Sequence, residues 1–409
     1  MREFEIEISR PGTFGALTSA TLELPATWAE YNDAMQKARI TDDRVIYEVE
    51  ICDIKRRSLQ GRIGAPVHLP ELNLLAQRLA ELPQHQSSIF DAMVSIEAQK
   101  NHNDKIPLPR LINFTHSLDS CHVAPGMRND VSLGRWLFEN DMLPQEVHDF
   151  AAARIFWGSE TEDERFGLIG ARHRQRENGV FSSVGYVEVE AIQEVYTPGN
   201  TVYFHRSDAP VVLSVSKGFF NDPSYDNEQS ISIDLPLLTD KRMNEVLEAL
   251  GAASLDEIGY HCADCQIPAA KDLIDDAEDI GAVNRFAKAL ADMEQYTHPA
   301  LYKAMLEVVK PPDLEAATTL AGEIQDYTLI TETSGPEDYA KEYLSRLRGG
   351  NDSIDLSEMI NLYALGEKVM KLENAEWTSY GILKRKDGGP IWTMDSTVDP
   401  TAGMEMGGL

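Results

Sequence analysis

An α+β chain built from two tandem units, each of small mixed sheets and helix bundles, is what this 409-residue sequence predicts. Three observations carry the prediction. Apolar residues alternate at period two near the start of each half. They then recur at helical spacing. The same order of landmarks returns about 211 residues later.

Phe4, Ile6 and Ile8 alternate with Glu3, Glu5 and Glu7, the pattern of a half-buried strand. After a Pro-Gly turn, Ala20, Leu22 and Leu24 predict a second strand ended by Pro25. Residues 28–39 read as a helix, and the β-branched run 45–54 as a strand. Leu72, Leu75, Ala76, Leu79 and Leu82 share one face of an amphipathic helix, and a further helix is expected over 89–99. The stretch 111–139 reads as a helix end, a turn at Pro125-Gly126, and a second helix capped by Asn129 and Asp130. Along that second helix Val131, Leu133, Trp136 and Leu137 line one face. A helix over 145–156, a charged loop (SETEDER) and a hairpin-like segment over 181–195 complete the first half.

The second half echoes the first. Leu24-Pro25 returns as Leu235-Pro236, with Ala20 and Leu22 returning as Ile231 and Ile233. The helix face at 72–82 maps without a gap onto Val283, Phe286, Ala287, Leu290 and Met293, and Asn73 falls on Asn284. Tyr47, Cys52 and Ile54 match Tyr260, Cys265 and Ile267, and Trp136-Leu137 matches Tyr343-Leu344. LPQEVHDFA resembles DLSEMINLYA, and FSSVGYVEV resembles WTSYGILKR with Gly185 and Gly381 in the same place. The expected organisation is a first unit over 1–200, a linker over 201–210, a second unit over 211–393 and a loose tail over 394–409.

Charge narrows the function classes. Against 37 Lys and Arg stand 67 Asp and Glu, a net −30. Such a surface repels nucleic acid, whose binding rests on Lys and Arg neutralising phosphates, and attracts basic surfaces instead. Direct nucleic-acid binding is therefore not expected. The first residues hold no apolar core of a secretory signal, and no apolar run approaches the ~18 residues that span a bilayer, so a cytoplasmic protein without membrane contact is expected. Four cysteines in this length do not make a disulfide framework.

The acidity is uneven. Residues 1–150 carry 22 acids and 15 bases, whereas 211–348 carry 26 and 11. The densest run lies at Asp272, Asp275, Asp276, Glu278 and Asp279. On a helix Asp272, Asp275, Asp276 and Asp279 would share one face, where like charges repel by a few tenths of a kcal/mol per pair. Asp313, Glu315, Glu323, Asp326, Glu337 and Asp338 extend the candidate acidic surface. A solvated helix start, where acids are favoured by the dipole, is the competing reading.

Other clusters carry less. Cys262 and Cys265 form a CxxC beside His261, but structural zinc needs four ligands, usually from a second pair. Cys52 and Cys265 read instead as buried core cysteines. Ser120, Cys121, His122 and His116 lie too close in sequence for an oriented catalytic triad. The acidic runs 221–228 and 272–279 lack the spacing of an EF-hand loop, and no phosphate-binding glycine loop is present. No catalytic residue, metal or cofactor is expected. The basic run 172–176 (RHRQR) is too small to bind DNA against the net charge, and is expected to meet an acidic face of its own chain or of a second subunit.

One string is distinctive. Leu111, Asn113, Thr115, Asp119, Pro125, Gly126, Leu133, Gly134, Arg135 and Leu137 form the pattern LINxTxxLD…PG…LGRxL, which resembles a signature run of the ArdA antirestriction proteins. Gly179, Phe181 and Gly185-Tyr186-Val187 resemble that family's ending. The second unit keeps the apolar spacing in LAGEIQDYTLITETSGPEDYAKEYL but loses the Asn, the Pro-Gly order and the Gly-Arg. The resemblance implies an elongated, acidic DNA mimic carried by a mobile element. Its partner would be a DNA-binding defence enzyme, first a type I restriction–modification complex. The family is dimeric, so the resemblance implies either a homodimer or one chain supplying both halves. At one phosphate charge per ~1.7 Å of duplex, 30 net charges would cover about 50 Å. The alternatives are an inhibitor of a CRISPR or other nuclease, a non-mimic adaptor of a mobile element, and a zinc hydrolase built on Cys262 and Cys265.

Overall fold

The computed structural model describes the chain apart from residues 1, 14–17, 41–45, 102–104, 153–160, 198–203, 205–206, 219–229, 238, 255–256, 278, 295–298, 334, 349–358 and 395–409. Half of the expected linker and nearly all of the expected tail lie outside the described residues, as do the acidic run 221–228 and Glu278. The fold is α+β, with four three-stranded sheets among the described residues.

The first half opens with β1 (Phe4–Ser9), β2 (Ala20–Leu24), α1 (Trp28–Lys37) and β3 (Glu48–Ile54). Helices α2 (Leu69–Glu81), α3 (Gln84–Asn101) and α4 (Leu108–His116) follow. It closes with β4 (Cys121–Pro125), α5 (Asp130–Glu139), α6 (Gln145–Ala152), α7 (Glu162–Glu177), β5 (Val180–Ser182) and β6 (Gly185–Val189). Period-two alternation makes β1, where Phe4, Ile6 and Ile8 are buried. Capping boxes start three helices: Thr27 with Glu30 on α1, Asn129 with Ser132 on α5, and Thr161 with Glu164 on α7.

That last box corrects the sequence reading. The latter part of SETEDER is not a loop but the first turn of α7, because Thr161 and Glu164 satisfy each other's backbone N–H. The turn expected within 111–139 likewise hides a strand. Residues 121–125 pair antiparallel with β6, Val123 opposite Val187. Their side chains show no clean alternation, so pairing with a distant partner decides them.

The second half runs β7 (Val211–Lys217), β8 (Ile231–Leu235), α8 (Asp240–Leu250), β9 (Ile258–Cys265), α9 (Lys271–Asp275) and α10 (Ile280–Glu294). Then come α11 (Pro299–Val309), α12 (Leu314–Gly322), β10 (Tyr327–Ile330), α13 (Pro336–Arg348), α14 (Leu362–Leu372), β11 (Glu376–Thr378) and β12 (Gly381–Arg385). Its sheets have orders β8-β7-β9 and β10-β12-β11, where the first half has β2-β1-β3 and β4-β6-β5. Details recur too. The Asn73 side chain accepts from Ala26 N at 2.8 Å and donates to Ala26 O at 3.1 Å. Asn284 does the same for Leu237, at 2.6 and 3.2 Å. Both follow a cis proline, Pro25 or Pro236.

The two helix pairs cross through glycine. A Cβ on Gly134 would strike Phe166 O, one on Gly170 would strike Asp130 O, and one on Gly366 would strike Pro336 O. Only a hydrogen side chain permits that approach of α5 to α7 and of α13 to α14. By this contact α14 takes the place of α7. The sequence match of LPQEVHDFA with DLSEMINLYA therefore sets α6 against the start of α14, two different elements.

The chain divides into two compact units. The first comprises residues 1–6, 23–26 and 49–204; the second comprises 7–22, 27–48 and 205–409. Helix α1 thus belongs to the second unit. Its Asp33, 6 % exposed, receives Lys303 Nζ at 2.7 Å, Lys37 Nζ at 2.8 Å and Tyr380 Oη at 2.8 Å. Burial pushes the Asp33 carboxyl up, and Lys303 and then Lys37 more than offset this, holding it below its usual 3.8.

Two predictions follow from these contacts. Asn73→Ala leaves a buried backbone N–H and C=O unpaired and should cost about 1–3 kcal/mol in urea denaturation, and Asn284→Ala, whose pair is only half-buried, should cost less. Gly322→Ala, where a Cβ meets nothing within 4 Å, should cost nothing. Asp33→Asn breaks a buried pair and should cost about 3–5 kcal/mol at neutral pH. Because the folded carboxyl lies below its unfolded value, this stability is present above about pH 4 and lost as pH falls through the folded value. The variant should therefore show a smaller loss of stability than the wild type between pH 5 and pH 3.

Candidate functional site

The acidic surface expected at 272–279 has a different shape from the sequence reading. Helix α9 ends at Asp275 and Asp276 caps it, so Asp272, Asp275, Asp276 and Asp279 do not share one helical face. Acids repel one another and the negative end of the helix dipole, and a single turn has few bonds to resist. Asp275 turns back to accept from Cys262 N at 2.6 Å. Asp279 instead starts the next helix, accepting from Ala282 N at 2.7 Å.

All of these are exposed, as are Asp313, Glu315, Glu323, Asp326 and Glu337, while Asp338 is half-buried. Asp313 caps α12 by accepting from Ala316 N at 2.8 Å. Asp338 pairs with Lys341 at 2.9 Å. The other nine described carboxylates of the set carry no ion pair. Among the described residues, Asp276, Glu315, Glu323, Asp326 and Glu337 also have no side-chain hydrogen-bond partner. In the first compact unit the acids are neutralised far more often. Arg135 reaches Glu162 and Asp163 at 2.6 and 3.0 Å, Arg174 grips Asp130 with two bonds, and Arg110 meets Glu97 at 3.2 Å.

The signature residues are architectural. Leu111, Leu133 and Leu137 are core. Buried Asn113 accepts from Tyr196 N at 2.7 Å and donates to Tyr196 O at 2.8 Å. Thr115 Oγ1 accepts from Arg78 Nε at 2.5 Å. Gly126 sits at φ 76° beside exposed Pro125, where a turn needs glycine. Gly134 makes the helix crossing, Arg135 stacks its guanidinium on Phe166, and Asp119 is exposed.

The basic run 172–176 meets its own chain, through Arg174 with Asp130 and His173 Nε2 with Glu188 Oε2 at 2.9 Å. Glu188 is also 3.4 Å from His122 on the neighbouring strand. Burial pushes Glu188 up, and His173 above all more than offsets it.

The cysteines divide differently from expectation. Cys265 is buried, but Cys52 is exposed, because it lies on the outward side of β3. Cys262 is buried and its thiol is held up by hydrogen bonding with Cys265 and then by burial. Burial, with Asp119 and Glu190 beside it, pushes the Cys121 thiol up to about 11, which keeps it protonated and unreactive at neutral pH. Burial and then Arg78 lower His116. Among the described residues no group of three or more His, Cys, Asp or Glu side chains is placed to hold a metal. None of the described helices is long and apolar enough to cross a membrane.

Sequence reasoning missed the Asp33–Lys303–Tyr380 cluster. Asp33 lies hundreds of positions from Lys303 and Tyr380, and no local pattern links them. Timed alkylation followed by mass spectrometry should label Cys52 first and Cys121 slowly, with Cys262 and Cys265 reacting only on unfolding. Early labelling of Cys262 would contradict the packing of β9. Neither the protein-family models nor the curated proteins contain a match to this chain.

Proposed function

We propose that this chain is an ArdA-like antirestriction protein of a mobile element, acting in the cytoplasm as a DNA mimic with two tandem copies of one unit. Its partner is a type I restriction–modification enzyme, and surface carboxylates stand in for phosphates in that enzyme's basic DNA channel. The observation that carries the reading is the run of exposed acids in the second compact unit that no cation neutralises, against a first unit whose acids are often paired. A carboxylate left unpaired keeps its full charge for a basic partner, and complementary potentials speed association. The resemblance at 111–139, the matching sheet orders, and the two Asn clamps at Ala26 and Leu237 support duplication of one ArdA-like unit.

Competition tests it. A type I restriction enzyme with labelled duplex is titrated with the protein at several salt concentrations. Displacement of the duplex that weakens as salt rises is expected. No displacement at low salt would sink the type I assignment and move the search to CRISPR or other nucleases. Charge removal tests the surface. Asp276→Asn, Glu315→Gln, Glu323→Gln, Asp326→Asn and Glu337→Gln together spare Asp275, Asp279 and Asp313, whose side chains hold backbone N–H groups. They should leave the thermal midpoint within a few degrees and weaken displacement about tenfold or more. Unchanged displacement would favour an adaptor whose acidity serves solubility.

A further inference from the structure

Strand β9 carries two cysteines three positions apart, Cys262 and Cys265. In a regular strand such residues point to opposite faces of the sheet. Here Leu213 pairs with Cys262 and Val212 with Asp264, so Ala263 is an extra residue and the strand bulges. The bulge returns both cysteines to the inner face. Cys262 is 7 % and Cys265 1 % exposed, whereas His261 and Ala263 face out. The two sulfurs lie within hydrogen-bonding reach of each other, and both are free thiols. With Cys52 set on Cys265, Val49 stands where the second half has Cys262, so the first half has no such pair.

Two sulfurs side by side in an apolar core are a ligand set of a particular kind. Zinc takes four ligands, and among the described residues no third His, Cys, Asp or Glu joins the pair. A soft monovalent cation such as Cu(I) prefers thiolates and is satisfied by two of them in a linear S–Cu–S unit. Leu213 opposite Cys262 and Val211 opposite Cys265 belong to the same core, so water does not compete for the ion. Cys262 resists losing its proton, first because its thiol hydrogen-bonds with Cys265 and then because it is buried. A cation bridging both sulfurs removes that opposition. Binding breaks two S–H bonds, forms two Cu–S bonds, releases two protons and moves no electron, and the complex carries one negative charge. Ile267 N–H already donates to Cys265 Sγ at 3.4 Å. Lys271 acts on Cys262 and Lys303 on Cys265 in the same sense, although each also holds a carboxylate, Glu30 or Asp33, and Asp275 opposes them at Cys262.

We infer that Cys262 and Cys265, brought to one face by the bulge at Ala263, bind one Cu(I) ion as a two-coordinate bis-thiolate site. The ion enters past Cys262, the less buried of the two. The inference is independent of the acidic surface and of the antirestriction reading, and no residue of the surface variant above takes part in it.

Anaerobic titration of the full chain with Cu(I), buffered by the chelator bicinchoninate, tests it. Cys52→Ser with Cys121→Ser removes the exposed and the half-buried thiol and serves as the background. In that background one equivalent of Cu(I) should pass from chelator to protein, and X-ray absorption of the bound copper should show two sulfur neighbours and no nitrogen. Adding Cys265→Ser should abolish the transfer. Cys262→Val, which installs the residue of the first half, should abolish it too while leaving the metal-free thermal midpoint within a few degrees, and so separates loss of a ligand from loss of the fold. The site is overturned by no transfer in the background variant, by transfer that survives Cys262→Val, or by copper with nitrogen or more than two sulfur neighbours.

Discussion

An asparagine amide that bonds both the N–H and the C=O of one backbone residue is the constraint from which much of this fold follows. It occurs at Asn73 with Ala26, at Asn284 with Leu237, and at Asn113 with Tyr196. Each clamp acts like one rung of a sheet, extended from a helix to a passing chain. The first two lock the exit of a strand onto a helix whose asparagine lies 47 positions further along, β2 onto α2 and β8 onto α10, and the third locks the segment after β6 onto α4. Asn73 and Asn113 are buried and have no water to fall back on, so the backbone they hold has one position rather than several, while Asn284 is half-buried. The apolar faces of α2 and α10 can then meet their sheets in a fixed register.

Close helix crossing is the second device. Gly134 with Gly170, and Gly366 opposite Pro336, bring backbones to a separation that any Cβ would forbid. A string such as LGR in the signature run is therefore a packing instruction. Its leucine is core, its glycine is the crossing and its arginine spans to Glu162 and Asp163. Most of the residues that make this sequence distinctive are spent on architecture, and the chemistry of recognition falls to the charge left on the surface.

That charge is sorted by pairing more than by number. Arginines of the first compact unit reach across helices to carboxylates, while the exposed acids near α9, α12 and α13 face solvent with only one ion pair among them. Some of those acids do structural work, since Asp275, Asp279 and Asp313 hold backbone N–H groups. Pairing is closer around buried Asp33, whose carboxylate takes both Lys37 and Lys303.

The sequence alone determined the α+β class, the strands of alternating pattern, the amphipathic faces at 72–82 and 283–293, and the cap that starts α5. Those features depend on neighbours within a turn or two, where periodicity and capping chemistry are local. The acidic residues were legible as a set, but not their roles, because a cap and a free carboxylate look alike in a string. Only the tertiary structure decided that 121–125 is a strand, that Cys52 faces out, and that α9 stops before Asp279. It also decided that α1 joins residues 205–409, through Asp33, Lys303 and Tyr380. The pairing of 121–125 with β6, and of Asp33 with Lys303 and Tyr380, joins residues tens to hundreds of positions apart, and such a pairing leaves no periodic trace to read.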